Sequence, residues 1–177
     1  TDVARYGGDN SALCVRQGNT VLEIKSFQSM DLMQLCGAIK NKYDDCTALE
    51  RPQEILIDVI GLGSGVVDRL AEQNLPVRGI NVAEAPATKK NYLNLRAELW
   101  FSIKDWLAQR DCRLPNDDEL VSELAAPIYK YTSSGKIKLE SKEEMRKRGI
   151  KSPDKADALS LTTVSYTHLT LPTMWYV

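Results

Sequence analysis

The spacing of apolar positions changes along the first part of the chain, and each change predicts a different element. Residues 11–17 and 20–27 alternate weakly on either side of Gly18-Asn19, which predicts a β-hairpin. Apolar residues then recur at helical spacing from Leu32 to Tyr43. Residues 54–60 form a nearly continuous apolar run, which is typical of a buried central strand.

The second part of the chain alternates helices with short strands. A glycine-rich turn at 61–65 leads into a short helix, and residues 75–80 predict a further strand. The longest helix is predicted over 89–110, where Trp100 and Trp106 are expected to pack in the core, and a second follows over 117–126. A hairpin turned at Ser134-Gly135, a charged helix ending at Gly149 and a last helix capped by Ser152 complete the order.

This order predicts one α/β domain with a mixed sheet, an antiparallel hairpin on one side and helices on both faces. The 177 residues suffice for one domain with a sizeable core. We assign residues 1–163 to the domain. Residues 164–177 contain no Asp, Glu, Lys or Arg, and we expect them to be foreign to it. The chain begins at Thr1-Asp2, so we expect a fragment whose first strand is truncated.

Composition excludes several classes of site. The net charge of −1 offers no global field for nucleic acid, so such a partner would need a local basic patch. No 18-residue apolar run is present, which predicts no membrane span. Four scattered cysteines and a single histidine, His168, disfavour a zinc site and a histidine-based triad. The cysteines are interpreted as buried thiols of a reducing compartment.

Acidic residues in three separate elements are the candidates for chemistry. Asp58 lies near the end of the buried strand, where open α/β sheets bind their ligands, although it could instead cap the next helix. Asp2 follows what would be the first strand, and Asp157 lies one turn inside the last helix among apolar residues. Asp154 stabilises the start of that helix, whereas Asp9 is interpreted as a turn residue.

Such a cluster without His or Cys suits a hard cation. Carboxylate oxygens select Mg²⁺ or Mn²⁺, and two such ions are the usual device for in-line phosphodiester displacement. We therefore expect Asp2, Asp58 and Asp157 to converge within about 8 Å, with Asp154 in a supporting position.

A basic run lies beside this cluster. Between residues 136 and 151 there are seven basic residues and three glutamates. Such a run is often a solvated helix face, but its position favours contact with phosphates. The candidate DNA-binding residues are Lys136, Lys138, Lys142, Arg146, Lys147 and Arg148.

Three segments in this order carry a family resemblance: DVARYGGDNSAL at the start, IDVIGLGSGVVDRL in the middle and SKEEMRKRGIKSPDKADALSL at the end. Over residues 1 to 163 the chain resembles the C-terminal nuclease domain of the large terminase subunit of tailed bacteriophages, which has an RNase H-like fold. The resemblance matches the three catalytic acids of that family to Asp2, Asp58 and Asp157. It matches Asp154 to a neighbouring position that is often His or Asp, and we expect Asp154 to be a secondary metal ligand.

The resemblance implies an endonuclease that uses two Mg²⁺ or Mn²⁺ ions to cut concatemeric double-stranded viral DNA during genome packaging. It implies as partners an N-terminal ATPase domain, a small terminase subunit and a portal. The site of action would be the cytoplasm of the infected host, transiently at the procapsid. This chain lacks the G-x-x-x-x-G-K-[ST] motif, and we predict no ATPase activity for it.

Other functions stay open. The domain could be a non-catalytic module that handles DNA or assembles the packaging machine, or another RNase H-like nuclease such as a junction resolvase. A nucleotide-binding domain is suggested by the GLGSG turn. Val66 replaces the third Gly or Ala of the dinucleotide fingerprint, however, and an acid inside the preceding strand would repel a pyrophosphate.

Overall fold

The first two strands form the predicted antiparallel hairpin. In the computed structural model, which describes residue 1 and residues 10–48, 50–88 and 90–164, β1 (Ser11–Gln17) pairs with β2 (Thr20–Phe27). Gly18 makes the tight connection at a φ of 54°, a left-handed conformation that glycine adopts without steric cost. A register shift between Val15 and Arg16 marks a bulge in β1.

A parallel pair of strands forms the second unit. β3 (Ile55–Asp58) pairs with β4 (Val77–Ile80), and α2 (Gly63–Glu72) connects them. The preceding helix α1 (Leu32–Asp44) packs against α2. Asp31 caps α1 by accepting a hydrogen bond from the Gln34 N–H, in a capping box.

Side chains of β3 alternate between two apolar clusters. Ile55 and Ile57 are buried with residues of α1 and α2, whereas Leu56 packs in a different cluster that contains Leu99 and Leu161. Helices therefore cover both faces of this strand, as predicted. Because alternate residues of a strand point to the same face, Asp58 lies on the face of Leu56.

Three helices and the first hairpin enclose another core cluster. α3 (Leu95–Ala108), α4 (Asp118–Ala125) and α6 (Asp154–Leu161) contribute to it together with residues of β2. Both tryptophans of α3 are buried there, as predicted. α3 begins later than the spacing predicts because Asn94 caps it, and Tyr92 instead forms a β-bridge with Ile137.

A second hairpin and a short helix lie before α6. β5 (Tyr129–Tyr131) pairs with β6 (Ile137–Leu139), and Gly135 in the turn has a φ of 76°. α5 (Lys142–Lys147) follows and is closed at its start by a capping box of Ser141 and Glu144. The described residues thus form three two-stranded sheets, and the predicted mixed α/β class is confirmed.

The prediction that Ser152 caps the last helix is wrong. α6 has Pro153 at its N-cap, and the Ser152 hydroxyl donates instead to Asp154 Oδ1 at 2.5 Å. Glu123 of α4 supplies a distant cap, because its Oε2 accepts a hydrogen bond from the Ala156 N–H at 2.9 Å. The start of α6 therefore depends on α4.

Several other expectations concern the ends of the chain and its surface. Val164, the first residue of the expected foreign tail, is buried beside Leu161, and residues 165–177 lie outside the described residues, as does His168. All four cysteines have free thiols. No helix among the described residues has the length and apolar character needed to cross a membrane.

Gly63 allows the chain to turn closely from β3 into α2. A Cβ atom added there would lie 1.7 Å from the Asp58 carbonyl oxygen, so the backbone would have to shift. We expect Gly63→Ala to lower the free energy of unfolding by at least about 3 kcal/mol in urea titrations. Gly37→Ala is the control: no atom lies within 4 Å of its added Cβ. It should stabilise the exposed helix by up to about 1 kcal/mol.

Candidate metal centre

Asp58 is placed where β3 ends and the chain turns. Its Oδ1 accepts a hydrogen bond from the Ile60 N–H at 3.0 Å, and Gly61 follows with a φ of 78°. Among the described residues this is the only hydrogen bond to the Asp58 carboxylate. The side chain is half-buried, so one carboxylate oxygen stays available for a ligand.

Thr1 lies beside β3, next to Leu56 and Asp58. Its terminal ammonium donates to the Leu56 carbonyl at 2.6 Å, and the Asp58 N–H donates to the Thr1 carbonyl at 3.3 Å. This exchange is the bonding pattern of neighbouring parallel strands. Asp2, the first predicted catalytic acid, lies outside the described residues, as does Asp9.

Asp157 is a buried carboxylate with donors from two helices. Trp100 Nε1–H donates to its Oδ1 at 2.8 Å, and the Arg96 guanidinium donates to Oδ1 from Nη2 at 3.1 Å and Nε at 3.2 Å. Lys142 Nζ of α5 lies 3.2 Å from Oδ2. A buried charge is tolerated only when paired and hydrogen-bonded, and these contacts meet that condition.

Asp154 lies one turn earlier on α6 and shares the same ammonium. Lys142 Nζ lies 3.3 Å from its Oδ1, and the Asn10 N–H donates to Oδ2 at 2.9 Å. With the Ser152 hydroxyl, both of its oxygens have partners. Asp154 therefore links the start of β1 to the candidate centre.

The pKa values of Asp58 and Asp157 shift in opposite directions. Burial raises the pKa of Asp58, the Ile60 N–H opposes this shift, and the negative charge of Asp157 raises the pKa further. For Asp157 burial also favours the neutral form, but the charges of Arg96 and Lys142 and the hydrogen bond from Trp100 outweigh it, and the pKa is lowered. Asp157 therefore stays ionised, and its charge acts on Asp58.

The structure thus brings Asp58, Asp154 and Asp157 to one region. Within residues 1, 10–48, 50–88 and 90–164, no group of three or more His, Cys, Asp or Glu side chains has an arrangement that could hold a metal ion. The predicted convergence includes Asp2, which is not described, and it stays a prediction. Asp58 and Asp157 come together because the face of β3 that carries Asp58 is the face that α6 covers.

The basic run is divided between different contacts. Lys142 is directed at the acids, and Arg148 makes a close ion pair with Glu140, at 2.5 Å between Nη2 and Oε2. Lys138 lies 3.8 Å from Glu144, so its charge is partly compensated. The remaining members of the run are Lys136, Arg146, Lys147 and Lys151, and all of these except Lys136 are exposed.

Arg96 and Trp100 were not predicted to belong to the site. Their i and i+4 positions on α3 place both side chains on one face of the helix, and this spacing is the signal in the sequence that could have identified them together. Lys142 was predicted, but as a phosphate contact. Which carboxylate a lysine meets depends on the packing of α5 against α6, which the sequence pattern does not give.

Comparison with known proteins gives results only at the level of structure. No family model matches the sequence, and no curated protein matches it. A mutant nuclease domain of the large terminase subunit gp2 of bacterial virus Sf6, solved with manganese and beta-thujaplicinol, aligns with a TM-score of 0.77 at 21% identity. The alignment covers 90% of this chain and 84% of that one.

The large terminase nuclease from thermophilic phage G20c is also similar. It aligns with a TM-score of 0.70 at 15% identity over 92% of this chain and 77% of its own. Its structure with bound magnesium gives a TM-score of 0.60 at 13% identity, over 89% and 81%. This chain therefore has the fold of terminase nuclease domains, and the prediction of that RNase H-like fold is confirmed.

The carboxylate that caps α6 predicts a pH dependence of stability. Burial, together with the charges of Asp154 and Glu119, raises the pKa of Glu123 from 4.5 to about 7, against the hydrogen bond from the Ala156 N–H. Because the folded-state value exceeds the unfolded one, deprotonation disfavours the folded state. The free energy of unfolding should therefore fall as the pH rises from about 4.5 to about 7.

Glu123→Gln keeps an oxygen acceptor for Ala156 but removes the titration. We expect its free energy of unfolding to exceed that of the wild type by about 1 kcal/mol at pH 8, a value reduced for partial exposure, and by nothing at pH 4. Chemical denaturation at several pH values measures the difference. Glu72→Gln, in an exposed ion pair with Arg69, is the control, and an equal effect there would contradict the prediction.

Proposed function

We propose that this chain is a metal-dependent endonuclease domain that hydrolyses phosphodiester bonds of double-stranded DNA. The observation that carries the proposal is the placement of Asp58 and Asp157, from β3 and α6, near enough for the charge of Asp157 to act on Asp58, with the Lys142 ammonium beside Asp157. The fold supports it, because the similar structures are terminase nucleases solved with manganese or magnesium.

The residues present fit a divalent cation of the Mg²⁺ or Mn²⁺ type. The candidate ligands Asp58 and Asp157 offer only carboxylate oxygens, as these hard ions prefer. Each carboxylate has an oxygen that is not bound to a backbone N–H. The Lys142 ammonium lies beside Asp157 Oδ2, at a position where the carboxylate attracts positive charge. Burial is the main cause of the raised pKa of Asp58, and a cation there would relieve the further contribution from the negative charge of Asp157.

Asp2 is proposed as a further ligand. Its neighbour Thr1 exchanges backbone hydrogen bonds with the residues on both sides of Ile57, so the peptide that leads to Asp2 starts beside Asp58. Asp154 is proposed as a supporting residue, since both of its oxygens already have partners.

When bound, two such ions would supply an activated water and stabilise the leaving oxygen of an in-line displacement. The task of this chain is to hold the carboxylates ionised and oriented. Arg96 and Lys142 keep Asp157 in its anionic form. The charge of Lys142 also acts on Asp58, and an ammonium at this position is suited to contact a phosphate.

Basic residues of the second hairpin and of α5 are proposed to contact the DNA backbone. Lys136 in the hairpin turn and Lys147 at the end of α5 are the strongest members, because Arg148 is already held by Glu140. Arg146 and Lys138 extend the same surface. Contacts of this kind bind phosphates without reading bases, so cutting should tolerate many sequences.

The biological setting is proposed from the fold and the resemblance. The domain would cut concatemeric viral DNA at the start and end of capsid filling, in the cytoplasm of an infected bacterium and transiently at the procapsid. An ATPase domain, a small terminase subunit and a portal are the proposed partners.

A nucleotide-binding function has less support. The space beside Gly63, which a phosphate-binding loop would offer to its ligand, is filled by the Asp58 carbonyl of the same chain. Gly63 thus serves the close passage from β3 into α2.

Plasmid nicking tests the proposed reaction. With Mn²⁺, the wild type should convert supercoiled plasmid to nicked and linear forms, and Asp58→Asn and Asp157→Asn should each lower the rate by at least about 100-fold. Asp44→Asn removes an exposed carboxylate on α1 that is paired with Lys40, and it should cut at the wild-type rate. A well-folded wild type that leaves DNA intact would favour the non-catalytic module.

The dependence of DNA affinity on salt tests the proposed backbone contacts. The double change Lys136→Gln and Lys147→Gln should weaken binding to unrelated duplexes equally. It should also reduce the slope of log affinity against log salt by about 1.8, near 0.9 per phosphate contact. Lys25→Gln with Lys40→Gln removes the same charge elsewhere, from β2 and α1. Equal loss in both double variants would show that only total charge matters.

A further inference from the structure

The two oxygens of the Asp157 carboxylate have unlike surroundings. Oδ1 accepts from three N–H groups of α3, those of Trp100 Nε1 and of Arg96 Nε and Nη2, at 2.8 to 3.2 Å. Oδ2 receives Lys142 Nζ at 3.2 Å and only a long contact of 3.4 Å from Arg96 Nη2. One oxygen is therefore held by the core, and the other is directed to the ammonium of α5.

The donors to Oδ1 are themselves fixed. Trp100 is buried in the core cluster formed by α3, α4, α6 and β2. The Arg96 guanidinium lies over the Trp100 ring, 5.8 Å from its centroid. Arg96 Nη1 also donates to the Glu140 carbonyl at 2.8 Å. Both side chains are therefore held by contacts other than those with Asp157. The Asp157 torsion is thus set by α3 rather than by its own helix.

We propose that Trp100 and Arg96 are positioning residues that hold Oδ1 of Asp157, so that Oδ2 is the oxygen presented to the divalent cation. The inference rests on the proposed function and deepens it, because it adds two residues outside the carboxylates to the cation site. A buried ligand that is oriented by hydrogen bonds loses less freedom when the ion binds, and such supporting contacts commonly govern metal affinity.

The same helix contains a matched pair that lacks this role. Trp106 is as deeply buried as Trp100, at 6% against 7% exposure, and its Nε1–H donates to Asn19 Oδ1 at 3.1 Å. Arg16 lies over the Trp106 ring at 4.2 Å. Both tryptophans therefore have a stacked arginine and one side-chain oxygen as acceptor, but only one of those acceptors is a candidate metal ligand.

The test compares Trp100→Phe with Trp106→Phe. Each variant keeps an aromatic ring and the charge but loses one N–H donor. Mn²⁺ binding is measured by calorimetry, and thermal unfolding records the loss of stability. The Mn²⁺ concentration for half-maximal plasmid nicking is measured in parallel. We expect Trp100→Phe to weaken Mn²⁺ binding and to raise that concentration about tenfold. Trp106→Phe should change both by less than about twofold, at a similar cost in melting temperature.

A second pair of variants tests the same role if Trp100→Phe does not fold. Arg96→Lys keeps the positive charge but loses the planar fork, and it should also weaken Mn²⁺ binding, whereas Arg16→Lys should not. If both members of either folded pair bind Mn²⁺ equally, the positioning role is wrong while the nuclease proposal stands. If the folded wild type neither binds Mn²⁺ nor cuts DNA, the proposed function fails, and the inference fails with it.

Discussion

Burial of one carboxylate constrains most of this structure. Every residue of α6 is buried, and Asp157 lies in the middle of that helix. An ionised carboxylate there would cost several kcal/mol without partners, so α3 must supply Arg96 and Trp100, and α5 must supply Lys142. This one negative charge therefore constrains how α3 and α5 lie against α6. A purely structural helix would carry an apolar residue at this position.

The second constraint is the alternation of side chains along β3. Ile57 points to the cluster formed with α1 and α2, and its neighbours Leu56 and Asp58 point to the opposite side, where α6 lies. A shift by one residue would send Asp58 into the apolar cluster of α1 and α2. The close passage at Gly63 ends the strand at Asp58 and holds the carboxylate at the edge of the sheet.

The parts of the fold that depend on local pattern could be predicted from the sequence. Both hairpins follow from turn residues, and α1 follows from its 3.6-residue spacing. Features that depend on distant contacts could not be predicted. Glu123 caps α6 from another helix, and the prediction of Ser152 as the cap, which used only neighbouring residues, was therefore wrong. Asp58 and Asp157 could be identified because an acidic residue inside an apolar run is unusual. Arg96 and Lys142 have no such signal in the sequence, since only packing brings them to Asp157.

These distant contacts also connect the candidate centre to the hairpin beside it. Arg96 joins Asp157 to the Glu140 carbonyl at the end of β6, and the Glu140 carboxylate in turn accepts from the Ile128 N–H and from Arg148. The β5–β6 hairpin and Asp157 are therefore joined through one guanidinium. If DNA binds the basic residues of that hairpin as proposed, its position and the orientation of the carboxylate are not independent.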